Sequence, residues 1–265
     1  MITSHRNPLV KRIKKLHRKK HRQEEGAFFI EGIRVVLTAL EQKAPVETIV
    51  YAPALLTSEV ALAALSEQKA QGATVAEVSQ DVFQAISDRE NPVGLGAIVN
   101  VRLQQLRDLP VHQDSVYVAL EQISDPGNLG AIVRTVDAAG GAGVLLVGPS
   151  VDPFHPTAVK ASMGALFTVP LAEVEDMDRL WRWAEAQGLH TVATSAHAER
   201  TFWETGYRFP TLLLLGSEGQ GLPPETLNRA EVSVTIPMQG TASSLNLSVA
   251  AGLLLYELRR YLMLP

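Results

Sequence analysis

From residue 26 onward, short apolar runs alternate with stretches of helical period, and the alternation occurs twice. In the first series AFFIEG, ETIVYAP, TVAEVS and GLGAIVNV read as strands, and IRVVLTALEQ, SEVALAALSEQKAQG and SQDVFQAIS read as the helices between them. RLQQLRDLPVHQDS follows, polar, interrupted by proline and without a period, and it reads as a linker. The second series has strands SVYVALEQ, GVLLVG, TVPLAEV, HTVATSA, TLLLLG and VSVTIP. Its helices are NLGAIVRTVDAAG, PTAVKASMGALF, MDRLWRWAEAQG, PPETLNRA and LNLSVAAGLLLYELRRYL. Strands that are apolar throughout must be covered on both faces, so this half predicts a mostly parallel α/β sheet. Ligands bind such sheets beyond the carboxyl ends of the strands. The least ordinary sequences fall there: SDPGNLG, GSEGQGLP and PMQGTASSLN.

Charge divides the chain as clearly as hydropathy does. Arg6, Lys11, Arg12, Lys14, Lys15, Arg18, Lys19, Lys20 and Arg22 supply nine of the 24 basic residues before the first acid, Glu24. The remaining 15 basic and 28 acidic residues leave the rest of the chain at −13, against −4 for the whole. A cationic segment on an acidic body is drawn to a polyanion such as nucleic acid, or is simply a solvated terminus. These observations divide the chain into a basic N-terminal segment (1–22), a smaller α/β domain (23–102), a linker (103–114) and a larger α/β domain (115–265). The 265 residues contain no cysteine, which excludes a disulfide framework, a thiolate nucleophile and Cys-based metal sites, and fits a reducing cytoplasm. No apolar run is long enough for a membrane span: LSVAAGLLLYEL breaks at Glu257 and Arg259. His17 and His21 stand at i, i+4, but flanking Lys and Arg repel a metal ion, so no metal is expected there.

Each loop alone admits two readings. In SDPGNLGAIVRT, Asn128 is placed to cap the following helix, whose free N–H groups attract an anion. Arg134, under two turns on, either faces that anion or pairs with Asp137 or Glu218. GSEGQGLPPE has G-x-x-G-x-G spacing rather than the dinucleotide G-x-G-x-x-G, and no GK[ST] follows. Glu218 within it is either a lone catalytic carboxylate or the partner of a basic neighbour. PMQGTASSLN puts Ser243, Ser244 and Asn246 at the start of a helix apolar nearly all round, as caps or facing a cleft, and the helix suits a core or a subunit interface. A Ser-His-Asp hydrolase is disfavoured, since no G-x-S-x-G occurs and His155, His190 and His197 lie outside these loops.

Together, N-x-G-x-x-x-R preceded by DPG, then LLLGSEGQGL, then IPMQGTASSLNLSVA resemble in order, spacing and residue type the motif set of the SpoU (TrmH-like) family of RNA 2'-O-ribose methyltransferases, in the SPOUT superfamily. The N-terminal part resembles the α/β substrate-binding domain that many members carry. The resemblance implies transfer of a methyl group from S-adenosylmethionine to a ribose 2'-hydroxyl of RNA, by a parallel-sheet domain with a deep trefoil knot. It implies a cofactor held largely by backbone at Gly216, Ile236 and Leu245, with Met238 and Asn246 close by. Arg134 falls on the catalytic arginine; Asn128 would orient ribose and arginine, Glu218 would hold that arginine, and Ser244 and Asn246 would complete the pocket. The sulfonium donor is already activated, so no metal is called for. A homodimer and a cytoplasmic location are implied, and the separate N-terminal domain with its basic segment suits ribosomal RNA, 23S in particular. A transfer RNA enzyme and a non-catalytic RNA-binding protein are the alternatives.

Overall fold

The computed structural model describes residues 1–263. The chain forms two units, one of Met1–Val101 with Phe154–Lys160, the other of Arg102–Pro153 with the chain from Ala161 onward.

The first unit is built on β1 (Ala27–Glu31), β2 (Val46–Tyr51), β3 (Val75–Glu77) and β4 (Leu95–Asn100), in the order β1-β4-β2-β3. β4 runs antiparallel to β1 and β2, and β3 is parallel to β2. Helices α1 (Pro8–Leu16), α2 (Lys19–Glu25), α3 (Ile33–Glu41), α4 (Glu59–Ala70) and α5 (Gln80–Ile86) complete it. The structure divides the N-terminal part differently from the sequence reading. The basic segment is not separate, because Val10, Ile13 and Leu16 recur among the cations at helical spacing and are buried. They join Phe29, Val50, Phe83 and Ile98 in this unit's core. Burying three such side chains is worth on the order of 1.5–3 kcal/mol each. Asn7 caps α1 with a 2.9 Å bond from the Leu9 N–H, and proline occupies the first turn. Ile2 adds backbone bonds to the sheet edge, giving to Glu77 O (2.7 Å) and accepting from Ser79 N (2.9 Å).

In the second unit every strand pairing is parallel: β5 (Val116–Glu121), β6 (Gly143–Val147), β7 (Leu171–Val174), β8 (His190–Thr194), β9 (Arg200–Thr201), β10 (Thr211–Leu215) and β11 (Val232–Thr235). The order is β7-β6-β5-β10-β8-β11-β9. The helices are α6 (Pro126–Ala138), α7 (Pro156–Ser162), which the division between units crosses, α8 (Met177–Ala186), α9 (Pro224–Arg229) and α10 (Leu247–Met263). All five residues of β6 and of β10 are buried, as continuous apolar runs require. The stretch expected as a linker is part of this unit: Leu106 and Leu109 enter its core, Gln104 N gives to Leu171 O (2.7 Å), and the Tyr117 hydroxyl gives to Pro110 O (2.6 Å). The single helix expected over 156–167 breaks after Ser162, where Met163 (φ 53°) and Gly164 (φ 102°) turn the chain into a short 3-10 turn. The two-residue edge strand β9 has no counterpart in the sequence reading.

Strand order positions the site. After β8 the chain visits the edge at β9, returns to the centre as β10, and passes out again to β11. The segments after β5, β8, β10 and β11 are thereby gathered at one carboxyl edge. α10 then packs against α6, burying Ala251, Leu254, Leu255 and Leu258. Its other face leaves Val249, Leu253 and Tyr256 exposed, so α10 carries apolar residues on both faces but is only half covered.

Candidate active site

α6 begins earlier than the sequence reading placed it. Asp125 is the N-cap, its Oδ1 accepting from Asn128 N at 2.6 Å, and Pro126 occupies the first helical position, where its missing N–H costs nothing. Asn128 is therefore not the cap, and its side chain is free for other partners. Its Nδ2 gives to Glu218 Oε1 at 3.0 Å, and its Oδ1 accepts from Asn246 Nδ2 at 2.9 Å.

The direction of this chain of bonds is set by a helix terminus. Asn246 precedes α10, and its Oδ1 faces the N–H groups of Ser248 (2.9 Å) and Val249 (3.4 Å) and the Ser248 hydroxyl (2.6 Å). A backbone N–H only donates, so the atom it meets must be oxygen. The Asn246 nitrogen then points to Asn128, which must present oxygen to it and nitrogen to Glu218. Ser124 approaches Glu218 Oε2 with its N–H and hydroxyl, both at 3.5 Å. Each amide nitrogen has a second hydrogen not used in these bonds.

Arg134 is exposed on α6 and makes no hydrogen bond or ion pair among the described residues. The pairings expected for it do not form: Glu218 is engaged by Asn128 and Ser124, and Asp137 accepts from the Thr168 hydroxyl at 2.8 Å.

Beside the network lies a cavity of about 730 Å³. Gly216, Glu218, Ile236, Met238, Ser243, Ser244, Leu245 and Asn246 all line it, so the second and third loops meet in space. Asn128 and Arg134 are not in its wall; Asn128 reaches it through Glu218 and Asn246. The loop after β10 folds onto itself, Gly221 N giving to Ser217 O at 3.0 Å. A Cβ on Gly216 would lie 2.0 Å from the Gly221 carbonyl carbon, so no side chain fits there. The end of β8 and the loop after it supply Thr194, Ser195, Ala196 and His197; the sequence reading sets His197 outside the three loops and singles out none of the others. No local motif marks them. They enter because β8 lies between β10 and β11 in the sheet. The lining contains no lysine or arginine, and Glu218 and His197 are its titratable groups. Nearby, burial pushes the Glu121 carboxyl at the end of β5 above its usual range, opposed by a 3.2 Å bond from the Thr226 hydroxyl.

In the first unit the nine N-terminal cations are unlike one another. Arg12 is taken up by Glu47 and Glu25, and Arg22 is buried with a 2.8 Å bond to Leu16 O. Arg6, Lys11, Lys14, Lys15, Arg18, Lys19 and Lys20 are not buried, and Lys20 lies 3.8 Å from Glu24. Lys11, Lys14 and Lys15 follow i, i+3, i+4 spacing on the side of α1 away from Val10 and Ile13, and Arg18 lies just beyond the helix, as the N-cap of α2. His17 bonds Asp88 and Ile86 O while His21 bonds Glu24, so the two rings do not share a centre. Among the described residues no group of three His, Asp or Glu is placed to hold a metal, and no helix is long and apolar enough to cross a membrane.

The chain is similar throughout its length to known proteins. Residues 7–97 match the MRM3-like substrate binding domain, and residues 115–256 match the SpoU rRNA Methylase family. The 23S rRNA (uridine(2479)-2'-O)-methyltransferase of Streptomyces viridochromogenes is 31% identical, over 89% of this chain and 83% of its own. The 23S rRNA (guanosine(2553)-2'-O)-methyltransferase of Bacillus subtilis is 29% identical over 97% and 98%. The crystal structure of AdoMet-bound rRNA methyltransferase from Sinorhizobium meliloti superposes with a TM-score of 0.89, at 39% identity over 99% of this chain and 98% of that one. Family match, full-length relatives and shared architecture lead to one conclusion: the chain belongs to the SpoU rRNA Methylase family.

Proposed function

We propose that this protein transfers a methyl group from S-adenosylmethionine to a ribose 2'-hydroxyl of RNA, with 23S ribosomal RNA as the target. The observation that carries the reading is the Glu218–Asn128–Asn246 chain of bonds at the rim of a cavity lined by no lysine or arginine, with Arg134 unpaired on the same helix as Asn128. The names of the relatives, 23S rRNA 2'-O-methyltransferases, support the substrate.

The cavity fits the donor. Its volume is in the range of about 300–1,000 Å³ usual for small-molecule sites. Leu215, Ile236, Met238, Leu245 and Leu254 give it apolar walls, and a site lined by Glu218 and by no lysine or arginine suits a cation. S-adenosylmethionine brings a methyl group on a positively charged sulfur, already activated for displacement. Gly216, Ile236 and Leu245 would hold it through backbone groups, with Met238 and Asn246 beside them. In the transfer the ribose oxygen forms a bond to the methyl carbon as the carbon–sulfur bond breaks, and the hydroxyl proton passes to water. A guanidinium keeps its proton at neutral pH, so Arg134 binds substrate phosphate and stabilises negative charge developing on the oxygen rather than removing the proton. Asn128 orients the ribose with its spare N–H, Glu218 fixes Asn128, and Ser244 and Asn246 close the pocket. Positioning of this kind supplies much of the rate.

The solvent-facing cations Arg6, Lys11, Lys14, Lys15, Arg18, Lys19 and Lys20 bind RNA phosphates, whereas Arg12 and Arg22 hold the first unit together. We read the excursion through β10 and β11 and the return of residues 236–246 to the cavity as the knotted path of the family. The exposed stripe Val249, Leu253 and Tyr256 on α10, at i, i+4, i+7, is read as the homodimer surface. A chain without cysteine that acts on ribosomal RNA belongs in the cytoplasm.

The test pairs calorimetry with S-adenosylmethionine and methyl transfer to unmodified 23S rRNA and tRNA transcripts. Saturable cofactor binding and ribose methylation of the 23S transcript, lost in Arg134→Ala with cofactor affinity kept within a few fold, are expected. Absence of saturable binding would make this a non-catalytic RNA-binding relative.

A further inference from the structure

Gln122, the residue after β5, has φ 54°, in the left-handed region that favours glycine. The chain uses glycine at ten other positions of positive φ and a non-glycine residue at three, Lys43, Gln122 and Met163. The Gln122 backbone N–H gives to Val147 O at 3.1 Å, which fixes the turn. Its side chain is exposed and makes no hydrogen bond among the described residues. The side chain lies against Gly148, where an added Cβ would be 3.6 Å from Gln122 Cγ and 4.0 Å from its Nε2, so the absence of a side chain at Gly148 leaves room for it. Gln122 also opens the short loop that carries Ser124 and leads into α6, the helix of Asn128. Its strand is the neighbour of β10, with Leu120 in register with Leu215, next to Gly216 of the cavity wall. Backbone strain at the edge of a site is retained where the side chain it presents is used.

We propose that Gln122 is a specificity residue that hydrogen-bonds the RNA nucleotide presented for methylation, through an acceptor and two N–H donors that complement a base edge. The inference rests on the methyltransferase reading above.

The test uses the full-length protein, an unmodified 23S rRNA transcript and two variants. Gln122→Met keeps the length and the strained backbone but removes donor and acceptor; Gln122→Gly removes the strain as well. Both should lose roughly five- to a hundredfold in kcat/KM for RNA, with the calorimetric affinity for S-adenosylmethionine unchanged. Gln122→Gly should melt at or above the wild-type temperature, so that activity and stability move apart. Wild-type kcat/KM in Gln122→Met, or a loss matched by lost cofactor affinity, overturns the proposal while leaving the methyltransferase reading in place. A wild-type protein that methylates no transcript overturns both.

Discussion

The substitution Asn246→Asp changes one atom in the site and leaves its shape intact, so it isolates the bond direction that α10 imposes. The introduced carboxylate still accepts from the Ser248 and Val249 N–H groups, and its charge at a helix N-terminus is worth about 0.3–1 kcal/mol in its favour. Across the network, however, a carboxylate oxygen replaces the nitrogen that sits 2.9 Å from Asn128 Oδ1. Either that bond is lost, at about 0.5–1.5 kcal/mol, or Asn128 flips and turns its oxygen on Glu218, losing a bond to a charged group worth about 1.5–3 kcal/mol. The first is cheaper, and the gained cap offsets most of it, so the melting curve should shift by less than about 1 kcal/mol. The rate has no such compensation: an Asn128 amide no longer held in one orientation should slow single-turnover methyl transfer roughly tenfold, the equivalent of about 1.4 kcal/mol. The defect should also be reversible by acid. Once protonated, the introduced carboxyl can again donate to Asn128, so the difference in stability between variant and wild type should shrink as pH falls through the ordinary carboxyl range near 4. The assays are calorimetric melting between pH 3.5 and 8 and labelled methyl transfer at neutral pH. A wild-type transfer rate, or a stability loss as large as the rate loss, would refute the argument.

Arg134→Ala should lower single-turnover transfer about 100-fold or more, as loss of one charge-stabilising donor does, yet leave melting within about 0.5 kcal/mol because the side chain has no partner to lose; a destabilised variant would show a structural role instead. Lys14→Ala should reduce the slope of log affinity for RNA against log salt by about 0.7–0.9 without affecting stability. Arg12→Ala should do the reverse, unfolding the first unit more easily by up to about 1 kcal/mol, since the Arg12 bond holds Glu47 below its usual range; equal salt slopes for the two variants would contradict this division. Burial raises the Glu121 carboxyl above its unfolded value, so the native state holds that proton more tightly and stability falls as pH rises from the unfolded pKa to the folded one. Glu121→Gln should therefore be more stable than wild type at pH 7 and lose that advantage below about pH 4, which pH-dependent denaturant melts would show.

The periodic runs were enough to establish the α/β class, the parallel character of the second sheet and its chain of helices, because burial on both faces writes itself into every strand residue. The three loops were legible for a related reason: DPGN, GSEGQG and SSLN carry backbone and capping demands that few sequences meet. Tertiary structure decided the rest. Charge masked Val10, Ile13 and Leu16 in the basic segment, and Leu106 and Leu109 passed for linker residues, since a few buried side chains in a polar stretch have no period long enough to notice. Strand order brought His197 and its neighbours to the cavity, and order depends on which strand the returning chain inserts beside, a choice made by packing across the whole sheet. The partners of Glu218, Asn128 and Asn246 were likewise beyond sequence: residues 90 and 118 positions apart meet only once the fold is closed, and only then does the cap of one helix dictate which way an amide on another must face.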